Sequence, residues 1–549
     1  MRRSDPEITL VAQLAAAVAL LSFFYYFRHG DLLLYGDAVA HINIARRVFD
    51  SRTPGLLQLG TVWLPLPHLL MVPFLLFDSA WQTGVGGSIP SLAAFIFSVV
   101  GLFRLLRGSL SSHSAPDFAA RSAAWTGAVI YAANPNLIYM QTTAMTEALY
   151  LAFLIWAVVY FAEFAQAISP TNPPEKGGTS SLVKCGLSLA GACLTRYDGW
   201  FLTGALVLAV VVVILKSKRY PLRRVFTKFV LIAAAGPLVW LAYNAIIYRN
   251  PLEFSNGPYS ARAIEQTKTA MSGTSPHPGW HDLPVAFDYF LKSAEQTMAE
   301  GSWQRLWVAL LIVGTVIVLA LERKLWPLLL LGLPLPFYAL AIAYGSVPLY
   351  LPEWWPFSYY NVRFGLEALP AFAALAGLTL HFLLGLARNR SAKAAVFCGT
   401  GVLLAGSYAS VWRAQPICFR EAGVNSRSRI ALEIELATNL KMLPRDSTLL
   451  MYLGDHVGAL QRAGIPLRRT INEGNHRPWK KPSDPEGLWE RALANPEKYA
   501  DYVVAIEGDP VAVGVNRENL SSMVVIHASG QPTAIIYWTH ARTMPGQRG

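Results

Sequence analysis

The residues most able to do chemistry lie in short polar segments between long hydrophobic runs. In YGDAVAHINIARR, Asp37 and His41 are four residues apart, so they share one face if the segment is helical. An Asp near a His can remove a proton as a general base, or the two can bind a metal ion. The structural alternative is that Asp37 caps a helix and His41 lies on its surface.

Three further segments place charged residues where a hydrophobic run begins or ends. Glu147 follows Thr146 at the start of MTEALYLAF, and Arg196 and Asp198 lie in LTRYDGW. Arg363 follows an aromatic stretch in WWPFSYYNVRFGLEALP. Each segment has a structural alternative: an acid near a helix N-terminus, an ion pair between two helix ends, or an arginine reaching from an aromatic belt to the membrane surface.

A longer polar segment, residues 250–266, has the sequence NPLEFSNGPYSARAIEQ and combines aromatic residues, amides and Arg262. This composition suits contact with a carbohydrate or with the rim of a protein interface, although alone it is a weak signal.

Composition indicates a membrane protein. Hydrophobic residues make up 53% of the 549 residues and charged residues only 15%, whereas soluble domains carry about 25% charged residues. The net charge of +12 comes mostly from short loops, and no basic stripe interleaved with aromatics indicates nucleic-acid binding. The four cysteines form no CxxC pair, which argues against a disulfide framework or a zinc site.

The hydrophobic runs predict about eleven membrane spans, because one span needs about 20 apolar residues. The proline-rich run 61–77 is instead predicted to lie in the outer interface, since counting it as a span would put the later basic loops outside. The first run is predicted to be a retained span rather than a cleaved signal peptide. The predicted spans are residues 8–27, 88–107, 122–138, 146–165, 182–195, 199–215, 226–247, 306–321, 325–345, 364–386 and 394–412.

This threading puts the chemically interesting segments on one side of the membrane. Basic loops such as 216–228 and 387–393 are cytoplasmic by the positive-inside rule. The segments with Asp37, Glu147 and Arg363 then fall on the opposite face, although they are distant in sequence. A charge at the centre of a bilayer-spanning helix costs about 3 kcal/mol, so charged residues gathered at one face indicate an active site there.

The composition changes from about residue 414. Alternating helix-like and strand-like apolar periods predict a small α/β domain at 414–549, on the outer side. The predicted fold is therefore mainly α: a polytopic transmembrane helical bundle with interfacial helices, 1–413, followed by this soluble domain.

The order of the motifs resembles the glycosyltransferase C superfamily, and within it the family of protein O-mannosyltransferases and lipid A aminoarabinose transferases. The resemblance covers about residues 8–412 and implies an inverting transfer of a sugar from a polyprenyl-phosphate donor to a lipid, glycan or protein acceptor on the non-cytoplasmic face. The matching segments are YGDAVAHINIARR, VWLPLPHLL, NPNLIYMQTTAMTEALYL, LTRYDGW and VRFGLEALPAFAALAG.

The resemblance aligns Asp37 with the catalytic aspartate of the family. The family often has Asp-Glu at this point, whereas alanine follows Asp37 here. Either His41 or Glu147 replaces the second acid, or the enzyme uses a different acceptor. Arg196 and Arg363 are suited to stabilise the phosphate of the departing lipid. The candidate substrate-binding residues are Asp198, Tyr139, Tyr360 and Asn361.

The sequence therefore predicts an integral membrane glycosyltransferase, expected in the bacterial inner membrane and without a cofactor. A divalent metal bound by Asp37, His41 and Glu147 is the less favoured alternative. Three other functions stay open: a transporter or lipid flippase, which would carry ionisable residues near mid-span; a non-catalytic assembly or sensor protein of the cell envelope; and an oligosaccharyltransferase, which transfers whole glycans.

Overall fold

The computed structural model describes residues 5–110, 118–168, 177–217, 223–272, 276–480 and 484–540. Helices α1 to α11 are Pro6–His29, Gly36–Arg47, Pro65–Met71, Asp78–Thr83, Val85–Leu110, Phe118–Ala132, Pro135–Met140, Glu147–Ala167, Gly177–Cys193, Asp198–Ser217 and Arg223–Tyr248. Helices α12 to α19 are Glu253–Asn256, Ala261–Ser272, Leu283–Met298, Trp303–Val316, Pro334–Tyr344, Leu369–Leu386, Arg390–Ala414 and Ile417–Leu440. Helices α20 to α23 are Val457–Ala463, Leu488–Ala494, Pro496–Tyr499 and Pro510–Gly514.

Short irregular helices extend or connect these elements. The 3₁₀ helices are Asp31–Leu33, Leu56–Leu59, Val72–Leu76, Arg323–Gly332, Val362–Ala368 and Leu467–Arg469, and one π-helical turn covers Ile317–Leu321. The 3₁₀ helix Val362–Ala368 carries Arg363 directly into α17.

Nine described helical segments are long and apolar enough to cross a membrane, so the chain is an integral membrane protein. Seven of them include a whole predicted span, and the other two miss one terminal residue of the spans predicted at 146–165 and 325–345. The nine described segments are Pro6–His29, Val85–Leu110, Glu147–Ala167, Asp198–Lys216, Arg224–Tyr248, Trp303–Leu321, Arg323–Tyr344, Val362–Leu386 and Arg390–Leu440. Part of the predicted basic loop 216–228, residues 218–222, lies outside the described residues.

The other two predicted spans, 122–138 and 182–195, correspond to α6 and α9, which have 15 and 17 residues. The C-terminal end predicted for the span 122–138 was wrong. Helix α6 stops at Ala132, because the side chain of Asn134 caps a separate helix, α7, by accepting hydrogen bonds from its first amides.

The proline-rich run 61–77 contains only α3, with seven residues, and the 3₁₀ helix Val72–Leu76. Pro65 and Pro67 are compatible with the first turn of α3, where their missing N–H groups have no helical acceptor. These two helices are too short to cross the membrane, as the predicted interfacial position requires.

Helix α2 returns from α1 through a tight connection. Gly30 ends α1 in the left-handed conformation, with φ of 76°, and lets the chain reverse. The apolar residues of α2 recur at helical spacing and are buried, among them Ala38, Ile42 and Ala45. This packing orients α2 and places Asp37 in its first turn.

The C-terminal segment begins with α19 and continues into a five-stranded mixed sheet. Helices α18 and α19 are separated by Gln415, with φ of 63°, and Pro416, close to the predicted boundary at residue 414. The strands are β1 (Leu449–Met451), β2 (Thr470–Ile471), β3 (Tyr502–Ile506), β4 (Ser521–Ile526) and β5 (Ala534–Trp538). Their order is β2-β1-β3-β5-β4, with β1 parallel to β2 and β3, and β5 antiparallel to β3 and β4.

Candidate active site

Asp37 lies at the start of α2 with its carboxylate 44% exposed. Nη2 of Arg363 donates a hydrogen bond of 2.6 Å to Oδ2 of Asp37. The carboxylate is therefore accessible from solvent and is held by a fixed positive charge, an arrangement that can present a base to a substrate.

Arg363 connects this exposed aspartate to the buried interior. Its side chain is 9% exposed and faces three carboxylates. Besides the bond to Asp37, its Nε donates to Oε1 of Glu147 at 3.0 Å, and its Nη1 lies 3.6 Å from Oε1 of Glu421. A planar guanidinium can serve several acceptors at once, which an ammonium cannot do in the same geometry.

Glu147 is the first residue of α8 and is fully buried. Its Oε1 accepts hydrogen bonds from Arg363 at 3.0 Å and from Nη1 of Arg196 at 3.4 Å, so it joins the two arginines. Its Oε2 has no hydrogen-bond partner among the described residues.

Arg196 lies between α9 and α10 in a second group of polar side chains. Its Nη2 donates to the hydroxyl of Tyr338 at 2.6 Å and its Nε to Asp198 at 3.2 Å. The hydroxyl of Tyr338 in turn donates to Asp198 at 3.2 Å. Glu367 lies 3.7 Å from Arg196, fully buried, and neither of its oxygens accepts a hydrogen bond from a described residue.

The two groups form one cluster of two guanidiniums and five carboxylates. The carboxylates belong to Asp37, Glu147, Asp198, Glu367 and Glu421. Both arginines are already paired, so a phosphate would have to compete with carboxylates for them. The predicted role of the arginines in binding the donor phosphate therefore depends on a change in this pairing during the reaction.

His41 lies one turn after Asp37 but is bonded elsewhere. Its Nδ1 shares a hydrogen bond of 2.9 Å with Nε2 of His68, and its ring lies 4.5 Å from that of Trp63. Burial lowers the pKa of His41 to about 3, and the positive charges of the two arginines act in the same direction. Burial also holds the pKa of His68 well below its ordinary value. Both rings are therefore neutral at pH 7, and the catalytic role of His41 stays a prediction.

The predicted substrate-binding residues occupy different environments. Asp198 belongs to the arginine cluster. Tyr139 is fully buried, and its hydroxyl donates to the carbonyl of Asp31 at 3.3 Å. Tyr360 is 46% exposed, and burial together with the charge of Asp37 raises its pKa. Asn361 has a left-handed backbone and donates to the carbonyl of Pro348 at 2.9 Å. Tyr360 is the best placed of the four beside Asp37.

Sequence reasoning missed several members of the site. Glu367 is four residues after Arg363 in VRFGLEALP, so helical spacing could have identified it. Glu421 and Tyr338 carried no such signal. Glu421 lies 58 residues after Arg363 in a segment assigned to another domain, and Tyr338 lies inside an apolar span.

A cavity of about 780 Å³ adjoins the site. It lies between the later half of α2, the C-terminal end of α11 and the C-terminal segment, and its lining residue Trp63 contacts His41. Part of the polar segment 250–266 lines it. Its aromatic lining residues are Trp63, Tyr248, Tyr259 and Tyr452, and its charged ones are Arg47, Glu253, Glu473 and Lys480. Aromatic faces beside polar and charged groups suit a ligand with both apolar and hydroxyl-bearing parts.

Within the described ranges, no group of three or more His, Cys, Asp or Glu side chains is arranged to hold a metal ion. Asp37 bonds to Arg363 and His41 to His68, so the three residues of the metal alternative do not converge. The absence of a cofactor stays a prediction.

No known protein-family profile matches the chain, and no curated protein matches its sequence. Solved structures do match. ArnT from Cupriavidus metallidurans, bound to undecaprenyl phosphate, matches with a TM-score of 0.56 and 15% identity over 95% of this chain and 97% of that chain. The same protein in the apo state matches with a TM-score of 0.51 and 15% identity, over 97% of this chain and 98% of that chain. An Archaeoglobus fulgidus oligosaccharyltransferase in the apo form has a TM-score of 0.49 and 12% identity, over 92% of this chain and 70% of that chain.

At 15% identity these matches establish the fold and leave the activity open. The motif order indicated the glycosyltransferase C superfamily, and that resemblance is confirmed at the level of fold: this chain folds as ArnT does, over nearly the full length of both proteins.

Proposed function

We propose that this protein is a membrane glycosyltransferase that transfers a sugar from a polyprenyl-phosphate donor to an acceptor on the extracytoplasmic face. The observation that carries the proposal is Asp37, a solvent-accessible carboxylate held at 2.6 Å by Arg363 within a buried charged cluster. The fold shared with ArnT, which was solved with undecaprenyl phosphate bound, supports the choice of donor.

The proposed reaction uses Asp37 as the general base. Its carboxylate takes the proton of an acceptor hydroxyl, and the hydroxyl oxygen attacks the anomeric carbon of the donor sugar. The bond between that carbon and the phosphate oxygen breaks, and the lipid phosphate leaves with the electron pair, so the anomeric configuration inverts.

The contact between Asp37 and Arg363 connects the two halves of this reaction. When Asp37 takes a proton, Arg363 loses one of its three carboxylate partners and keeps Glu147 and Glu421. The edge of the guanidinium that faced Asp37 can then donate to the phosphate as negative charge develops there. This sequence of charges explains how an arginine paired in the resting site can serve the leaving group, a role we also assign to Arg196.

The positions of the charged residues favour an enzyme over a transporter. Glu147 begins α8, Arg196 precedes α10, and Arg363 precedes α17. A transporter would instead place ionisable groups near mid-span, where its substrate crosses. The site at the ends of the spans fits chemistry at a membrane surface.

The test is transfer by the purified full-length protein in detergent. Synthetic polyprenyl-phosphate sugars are supplied with a cell-envelope extract, and free polyprenyl phosphate and glycosylated acceptor are measured by mass spectrometry. We expect both products in equal amounts from the wild type and neither from Asp37→Asn. Product formation that is equal in the variant would reject Asp37 as the base, and no transfer from any donor would reject the function.

A further inference from the structure

Glu421 belongs to none of the motifs that indicated the site, yet it contacts two of its main components. It lies near the start of α19 and is 1% exposed. Its carboxylate accepts hydrogen bonds from the backbone N–H groups of Val362 at 3.3 Å and of Arg363 at 3.2 Å. It also lies 3.6 Å from the guanidinium of Arg363. Glu421 therefore fixes both the backbone and the charge of Arg363.

The same carboxylate also contacts Tyr35, which is on the N-terminal side of Asp37 in the chain. The hydroxyl of Tyr35 lies 3.0 Å from Oε2 of Glu421 and 2.8 Å from the carbonyl oxygen of Cys418, and these two acceptors share its one hydrogen. Tyr35 is two residues before Asp37 and immediately precedes α2, at its N-cap position. The guanidinium of Arg363 lies over its ring at 5.2 Å. Asp37 is thus constrained through its chain neighbour and through its ion-pair partner, and one buried acid contacts both.

Other contacts show that the C-terminal segment follows α2 along its length. Arg429 of α19 donates to the carbonyls of Leu33 and Leu34, just before α2. Asn43 of α2 donates to Gln461 at 2.8 Å. The helix that carries Asp37 is therefore positioned by the C-terminal segment as well as by the membrane bundle.

We propose that Glu421 is a positioning residue of the transfer site, and that the C-terminal segment that begins with α19 thereby completes the site. This inference rests on the proposed function. Glu421 orients Tyr35 and Arg363, which set the position of Asp37, and it does not itself touch the reacting atoms. Small displacements of a base lower the rate of proton transfer steeply.

The test compares Glu421→Gln with Asp509→Asn in the full-length protein. Asp509 is in the same C-terminal segment and is also buried, but its carboxylate caps α23 by accepting a hydrogen bond from the N–H of Ala512. We expect Glu421→Gln to lower kcat at least about tenfold while KM for the donor stays within about threefold, because positioning affects the chemical step. Asp509→Asn should keep kcat within about twofold, since asparagine caps a helix about as well as aspartate does.

Two further measurements separate positioning from general damage. In a double-mutant cycle, Glu421→Gln and Arg363→Lys should be strongly non-additive, because both act on Asp37 through one network. Hydrogen–deuterium exchange should increase over residues 33–41 in Glu421→Gln and not in Asp509→Asn, whether or not transfer is observed. Unchanged exchange over 33–41, or an unchanged kcat in a preparation whose wild type transfers sugar, would overturn the inference. Increased exchange in a protein whose wild type transfers no sugar would support the positioning role and reject the proposed function alone.

Discussion

Nη2 of Arg363 lies 2.6 Å from the carboxylate of Asp37, although 326 residues separate them along the chain. Asp37 follows the first span, and Arg363 precedes α17, the second-last spanning helix. Their contact joins the two ends of the membrane region at one surface. A base and the charge that balances it are therefore a single structural unit, and each should depend on the other.

Replacing Asp37 by Asn should abolish transfer, with a fall in rate of about a hundredfold or more. The protein should still insert into the membrane and accumulate. The change removes the basic carboxylate and keeps the side-chain size. Asp31→Asn is the matched control, since Asp31 has a half-buried side chain and lies in the connection between α1 and α2, just before Asp37. Transfer rates are measured per milligram of purified protein. A rate for Asp37→Asn close to that of Asp31→Asn would exclude Asp37 and favour Glu147 as the base.

Arg363→Lys should lower both transfer and stability. Lysine keeps the charge but cannot contact Asp37, Glu147 and Glu421 together, so buried carboxylates lose their partner. Stranding a buried charge costs about 3–5 kcal/mol, and a fall in Tm should accompany a loss of activity of at least tenfold. Arg420→Lys, at a more exposed pair with Glu300, should change neither greatly. Wild-type Tm and activity in Arg363→Lys would contradict the network described for this arginine.

The cavity beside the site should determine substrate affinity. Tyr259 lines it and is 57% exposed, whereas Tyr344 is 59% exposed and does not line it. Tyr259→Ala should raise KM for donor or acceptor about tenfold with little change in kcat, because stacking of an aromatic ring contributes about 1 kcal/mol beyond its buried area. Tyr344→Ala should leave KM unchanged. Equal effects of the two substitutions would show that the cavity holds no substrate.

The stability of the folded protein should decrease as the pH is lowered, because of the buried histidines. The unfolded chain binds a proton at His41 below about pH 6.5, whereas the folded chain binds it only near pH 3. The histidine thus contributes full stability above pH 6.5 and loses it progressively as pH falls toward 3, by about 1.4 kcal/mol per pH unit. His41→Gln should flatten the fall of Tm between pH 6 and 4, and His29→Gln, at an exposed site, should leave it unchanged. A slope that is the same in all three proteins would show that His41 is protonated when folded.

The C-terminal segment should lie outside the cytoplasm. The basic residues at 387–393 lie at and just before the start of α18, so the positive-inside rule predicts that the end of α18 is on the outer face. A reporter that is active only in the cytoplasm should be silent when fused after residue 549, and one fused after Arg388 should be active. Activity at the C-terminal fusion would reverse the side of Asp37 as well.

The sequence by itself determined the membrane architecture. Long apolar runs can satisfy their backbone hydrogen bonds in a bilayer only as helices, so the span positions followed from hydropathy and proline placement. The error at 122–138 arose because Asn134 and Pro135 start a new helix inside an apolar run, a local hydrogen-bonding effect that hydropathy does not register. The charged candidates Asp37, Glu147, Arg196 and Arg363 also followed from the sequence, since each ends or begins an apolar run.

Only the tertiary structure decided how these residues pair. The partner of Asp37 is Arg363 rather than His41. The two residues are one turn apart on α2, but the buried ring of His41 is hydrogen-bonded to His68. Glu421 reaches Arg363 because α19 packs against the bundle, and nothing in the 57 residues between them predicts that contact. Pairing between distant segments depends on how helices pack, and packing is decided by the shapes and buried areas of many side chains together, which no local pattern contains.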